Sequence, residues 1–171
     1  NFQYISEKFK NPSYDPENLY SVPYTWGTVG LIYNYDMLGF DPDSWDIMWD
    51  PNYAKQILQF SNSRDAFAIA ELMLGYSINT TDPGQLEEAF NLLKTAKDSG
   101  VYQAFVMDEV FQKMEGGNAA IAMYYAGDYL TMLENMSLAD NKGKRFGLGF
   151  GVNRKRIDFY RSELASLGLG L

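Results

Sequence analysis

The 171 residues include no cysteine and no histidine. Thiolate metal sites, disulfides, the commonest zinc ligand and the usual general base are therefore missing, and with them the Ser-His-Asp and Cys-His machineries. Carboxylates, Lys, Tyr and Ser are what remains for chemistry. Two places set such groups where an apolar run gives way to helix-starting residues. In one, Phe60 leads into Ser61-Asn62-Ser63-Arg64-Asp65; in the other, Tyr124-Tyr125 leads into Gly127-Asp128. The net charge of -8, from 14 basic and 22 acidic residues, opposes the phosphate-neutralising surface of a nucleic-acid binder. It suits a cationic ligand, and it equally suits an acidic surface that keeps a protein in solution.

The elements around these junctions follow from local patterns. Residues 1–20, with Pro12 and Pro16, form an irregular lead-in, and residues 21–34 are β-branched and aromatic chain broken by Gly27 and Gly30. Asp43-Ser44-Trp45 caps a short helix to Trp49, which Pro51 stops. Ile57–Phe60 is a strand, and Ser61-Asn62-Ser63 starts a helix from about Arg64 to Leu74, with Phe67, Ala70 and Leu74 at helical spacing and Gly75 as its end. Asp82-Pro83 starts a second helix, ending near Gly100, with Leu86, Phe90 and Leu93 as its apolar stripe. A third covers Asp108 to Met114 and is closed by Gly116-Gly117. Ala119–Tyr125 is continuously apolar between glycines, as in a central strand covered on both faces, and Gly127-Asp128 opens a last helix to Asn135. Strands alternating with helices imply one α/β domain on a mixed or parallel sheet flanked by helices, with ligands beyond the carboxyl ends of the strands. No run of about 18 apolar residues occurs. Asn1-Phe2-Gln3-Tyr4 carries no signal-peptide pattern, so an export signal is expected outside this chain.

Three blocks resemble the bacterial polyamine-binding proteins, the extracytoplasmic receptors of spermidine/putrescine ABC transporters. They are Tyr20-Ser21-Val22-Pro23-Tyr24-Thr25-Trp26-Gly27-Thr28-Val29-Gly30 with Tyr33-Asn34, then Leu74-Gly75-Tyr76-Ser77-Ile78-Asn79-Thr80-Thr81-Asp82-Pro83, then Met114-Glu115-Gly116-Gly117 through Tyr124. Their order and spacing agree with that family over residues 14–135. The resemblance implies a type II periplasmic-binding-protein fold, of which this chain is the second lobe. It divides the chain into a lead-in (1–20), an inter-lobe crossover with the first strand (21–34), the second-lobe α/β domain (35–141) and a tail (142–171) that does not match. It further implies a polyamine ligand, no cofactor and no catalysis, and permease subunits as partners. Membrane contact would come only through the permease or a lipid anchor outside this chain. The location would be periplasmic, or on the cell surface as a lipoprotein.

A polyamine is an apolar chain bearing ammonium groups, so its site needs carboxylates for the charges and aromatic faces for the methylenes. The family binds amines with two acidic residues at i and i+3 before a helix, and alignment from Leu74-Gly75 carries these onto Asn62 and Asp65. Asn62 departs from the pattern, offering a carbonyl acceptor without charge. A plain helix N-terminus accounts for Ser61, Asn62, Ser63 and Asp65 as well, and the two roles are compatible. Aligned from Met114-Glu115-Gly116, the family's ligand-contacting aromatic falls on Tyr124, although Tyr124 and Tyr125 also fit a strand end with one ring inside and one outside. Asp128 is either a cleft carboxylate or a helix cap. Trp26 either lines the cleft near the hinge or packs in the interior.

The tail from Lys142 holds seven of the 14 basic residues. Its Gly147, Gly149 and Gly151 lack the following lysine of a phosphate loop, and a helix is expected from Lys155 to Leu167. Two other functions fit these residues. The same fold could take another small solute, such as an amino-acid derivative, a thiamine-like ligand or a metal. A more remote option is a two-carboxylate hydrolase, for which the obvious acidic pair, Glu87-Glu88, lies on a solvated helix face.

Overall fold

Five short apolar segments pair into one sheet in a computed structural model that describes residues 1–138 and 145–149. They are β1 (Val29–Asn34), β2 (Ile57–Phe60), β3 (Tyr102–Val106), β4 (Ile121–Tyr125) and β5 (Phe146–Gly149), in the order β3-β2-β4-β1-β5. β2 runs parallel to β3 and β4, whereas β1 is antiparallel to β4 and β5. The sheet is therefore mixed, one of the two kinds, mixed or parallel, that the alternation of elements implies. β4 is its centre, and Ile121, Ala122, Met123 and Tyr124 are all buried, which explains why that stretch is apolar without alternation.

The chain divides into two compact units, one containing residues 1–27 and the other the described residues from Thr28 onward. In the first, Phe2–Tyr4 and Glu7–Phe9 are single 3-10 turns. The Asp15 carboxylate organises the following bend by accepting hydrogen bonds from the Ser21 hydroxyl and from the amides of Leu19, Tyr20 and Ser21. These bonds hold its carboxyl below the ordinary range.

In the larger unit, α1 (Tyr35–Leu38), α2 (Ser63–Leu74), α3 (Pro83–Asp98), α4 (Glu109–Glu115) and α5 (Ala126–Leu138) flank the sheet, and Trp45–Trp49 is a 3-10 helix capped by Ser44. The main helices begin and end where the capping residues dictate. Asn62 Oδ1 accepts from Arg64 N at 3.1 Å to start α2, and Gly75, at φ 85°, ends it. Asp82 Oδ1 accepts from the amides of Gly84 and Gln85 at 2.8 and 3.0 Å, with Pro83 in the first helical position of α3.

The buried face of α3 is Ala89, Leu93 and Ala96; Phe90, assigned to the stripe from sequence, is 50% exposed. α3 packs on α2, whose covered residues include Ala66 and Ala70. Small residues on both helices let the axes approach, which an inward Phe90 would prevent. Elements absent from the sequence reading include β3 and α1, a single turn held by Asn34 Oδ1 accepting from Asp36 N and Met37 N.

β5 falls within the stretch assigned to a non-matching tail. It pairs with β1 from Leu31 to Asn34, and Arg145 anchors its start through its backbone N and Nε to the Asp36 carboxylate at 2.8 and 2.9 Å. Its alternating glycines have a packing cause: a Cβ on Gly147 would lie 2.1 Å from Tyr33 Cζ. The helix expected over 155–167 lies outside the described residues.

Candidate functional site

Because β2, β3 and β4 are parallel, their carboxyl ends open on the same side of the sheet, at Phe60, Val106 and Tyr125. Three loops leave from there into α2, α4 and α5, and short contacts bind the ends together. Ser61 N donates to Val106 O at 2.9 Å. The Phe60 ring lies 4.8 Å from that of Tyr124 and 4.9 Å from that of Tyr125. Tyr124 OH reaches Asp108 Oδ1 at 3.3 Å.

Asp65 stands in the first turn of α2, three residues beyond the cap. It is partly exposed, has no hydrogen bond or ion pair to another described residue, and is pushed above the ordinary carboxylate range by burial. Asn62 lies one turn earlier with its Oδ1 already engaged in capping; an amide oxygen has two lone pairs, so one acceptor direction remains. Asp128, in the first turn of α5, is also raised, first by burial and then by the negative charge of Asp108. Asp108 is exposed and precedes α4 without capping it.

Tyr124, carried onto the family's ligand-contacting aromatic from sequence, lies in the interior of this chain. It is 2% exposed, packed against Phe60, Phe111 and Tyr125, and its hydroxyl is pushed up to about 12 by burial and by the Asp108 carboxylate. Successive strand residues point to opposite sides, and the next ring, Tyr125, is 37% exposed at the mouth. Trp26 lies in the other unit, 60% exposed rather than interior, stacked on Phe9 at 6.1 Å with Lys8 Nζ 5.7 Å over its ring.

The structure thus gathers Asn62, Asp65 and Asp128 around the ends of neighbouring parallel strands and adds Tyr125 and Asp108, which sequence reasoning passed over. Asp108 follows β3, so overlooking that strand hid a third strand-to-helix junction. Asp108 and Asp128 are close enough for one charge to raise the other. Even so, among the described residues no three acidic groups converge as metal ligands. Separated carboxylates beside an exposed ring suit an extended cation better than a point charge.

Residues 1–142 match the model of the bacterial extracellular solute-binding proteins. The spermidine/putrescine-binding periplasmic protein of Escherichia coli is 40% identical over 97 residues, covering 55% of this chain and 27% of the relative. A putrescine/cadaverine-binding protein of Pseudomonas aeruginosa is 29% identical over 154 residues, covering 86% of this chain and 42% of the relative. Among solved structures, the spermidine/putrescine ABC transporter substrate-binding protein of Streptococcus pneumoniae superposes with a TM-score of 0.71 at 33% identity, over 88% of this chain and 44% of that one. The chain spans less than half the length of each of these relatives. With the mixed sheet and a family match over most of its length, the chain belongs to the bacterial extracellular solute-binding protein family.

Proposed function

We propose that this chain supplies one wall of the ligand cleft in an extracytoplasmic polyamine receptor that delivers its cargo to an ABC transporter permease. The observation that carries this is the placement of Asp65, Asp108 and Asp128 where β2, β3 and β4 give way to α2, α4 and α5, at the end of the sheet where Tyr125 is exposed. Ammonium groups along a polyamine would meet the carboxylates in turn, and the intervening methylenes would lie on the ring. Asp65 has no partner among the described residues, so its charge is available to a ligand, and an arriving ammonium would relieve the desolvation that raises its carboxyl. The names of the relatives support the same ligand class. Tyr124 acts here as backing for the Tyr125 and Phe60 rings, and Asn62 holds the start of α2 while offering one carbonyl acceptor.

Titration of the isotope-labelled chain with spermidine and putrescine, followed by amide chemical shifts, tests this. Residues 61–65, 107–109 and 125–128 should respond, and 1,4-butanediol, which lacks the charges, should leave them in place. Asp65→Asn and Tyr125→Ala should each weaken binding by about three- to thirtyfold without loss of fold. Responses elsewhere only, or equal responses to the diol, would sink the proposal.

A further inference from the structure

Glu71 occupies a position on α2 whose neighbours, Ala66, Ile69 and Ala70, build the core, and it is itself only 3% exposed. Its carboxylate has no hydrogen bond or ion pair to another described residue, and burial pushes it above the ordinary range. A charge so placed is unfavourable unless something pairs with it. It is also not sealed in: among the described residues, Trp49 Nε1 is the one side-chain polar atom both fully covered and without a partner. The Glu71 oxygens therefore keep an opening.

Glu71 lines a cleft of about 440 Å³ between α2, the connection after it and the first turns of α3, together with Arg64, Phe67, Ile78, Thr81 and Leu86 among others. The volume suits a small molecule. Phe67, Ile78 and Leu86 are apolar. The neighbouring Thr80 hydroxyl is already committed, donating to Gln85 Oε1 at 2.6 Å and accepting from Asp82 N at 3.2 Å. Arg64, the other charged side chain on the cleft, sits seven residues before Glu71, roughly 10 Å along the helix axis, and forms no ion pair with it. The cleft thus has an acidic group under apolar walls, and among the described residues no cation, Arg64 included, forms an ion pair with it.

We propose that this cleft is a second binding site, for a small primary ammonium ion, with Glu71 as its counter-charge and Phe67, Ile78 and Leu86 around its alkyl body. It is distinct from the strand-end cleft, since Glu71 lies six residues, roughly 9 Å of helix, beyond Asp65, and it does not depend on the function proposed for that cleft.

The test is a titration of the labelled chain with n-butylammonium chloride, with 1-butanol as the uncharged control. The amides of Glu71 and of residues 78–81 should shift with the amine and stay in place with the alcohol. Glu71→Gln should weaken the effect at least about tenfold. Asp65→Asn, which removes charge only from the strand-end cleft, should change it by less than about twofold. Ile78→Trp fills the cleft from its exposed rim without altering α2, and should abolish the response while leaving the melting temperature near that of the parent. No shift at these amides, equal shifts with butanol, or an unchanged response in Glu71→Gln or Ile78→Trp would each overturn the proposal.

Discussion

Asp65 and Glu71 share a helix and a direction of pKa shift, yet only the first was visible in sequence. Asp65 follows capping residues at a strand-to-helix junction, so its position is marked by local chemistry. Glu71 looks like an ordinary helix glutamate, and its burial depends on the connection and α3 folding over it, which no local pattern reports. Its raised carboxyl has a thermodynamic consequence. At neutral pH the group is ionised in both folded and unfolded chains, and only the folded one bears the desolvation. Below the unfolded value of about 4.3 the group is neutral in both, and the penalty is gone. Stability from this group is therefore present at low pH and lost as pH rises through the raised folded value. Glu71→Gln should accordingly unfold at higher denaturant than the parent at pH 7, with the gap closing as pH falls toward 4; a gap that widens in acid would contradict the unpaired carboxylate. The Tyr124 and Tyr125 pair was hidden for a related reason. A strand end has one ring in and one out, and only the covering residues, Phe60 and Phe111, decide which.

Among the elements, helices with strong caps were legible and non-local strands were not. Asn62, Gly75, Asp82 and Pro83 fix α2 and α3 by bonds within a few residues. β3 contains a polar Gln103 and pairs with β2 alone, so its existence rests on a partner more than forty residues earlier. β5 was not read from sequence, where its glycines were weighed only as a phosphate loop; Gly147 admits the Tyr33 ring. Tyr33 cannot easily yield, since it is 5% exposed and its hydroxyl donates to Asp41 Oδ1 at 2.7 Å. Gly147→Ala should therefore destabilise the larger unit by about 1–3 kcal/mol in denaturant unfolding. Faster amide exchange should appear first along the β1–β5 ladder, from Leu31 to Asn34. A neutral result would mean that β5 does not lie against that ring.

For the whole molecule, the alternation of elements was enough to imply a mixed or parallel sheet with helices on its faces, because this follows from burying apolar strands. The strand order was not accessible, since β1 pairs with β4 and β5, both far along the chain. Order matters to function, because it brings β2, β3 and β4 side by side and sets three strand-to-helix junctions along one end of the sheet. Along that end Asn62, Asp65, Tyr125 and Asp128 all retain exposure, so the described residues cover a ligand from one side. A cleft ligand ordinarily gains affinity from burial over most of its surface, and exposed carboxylates interact weakly with cations in water and salt. The chain by itself should therefore bind spermidine with a Kd no tighter than about 1 mM by calorimetry. Affinity should fall further as ionic strength rises, because the attraction is between screened charges. Submicromolar binding that resists salt would refute the one-sided cleft, since it requires a ligand enclosed and desolvated on all sides.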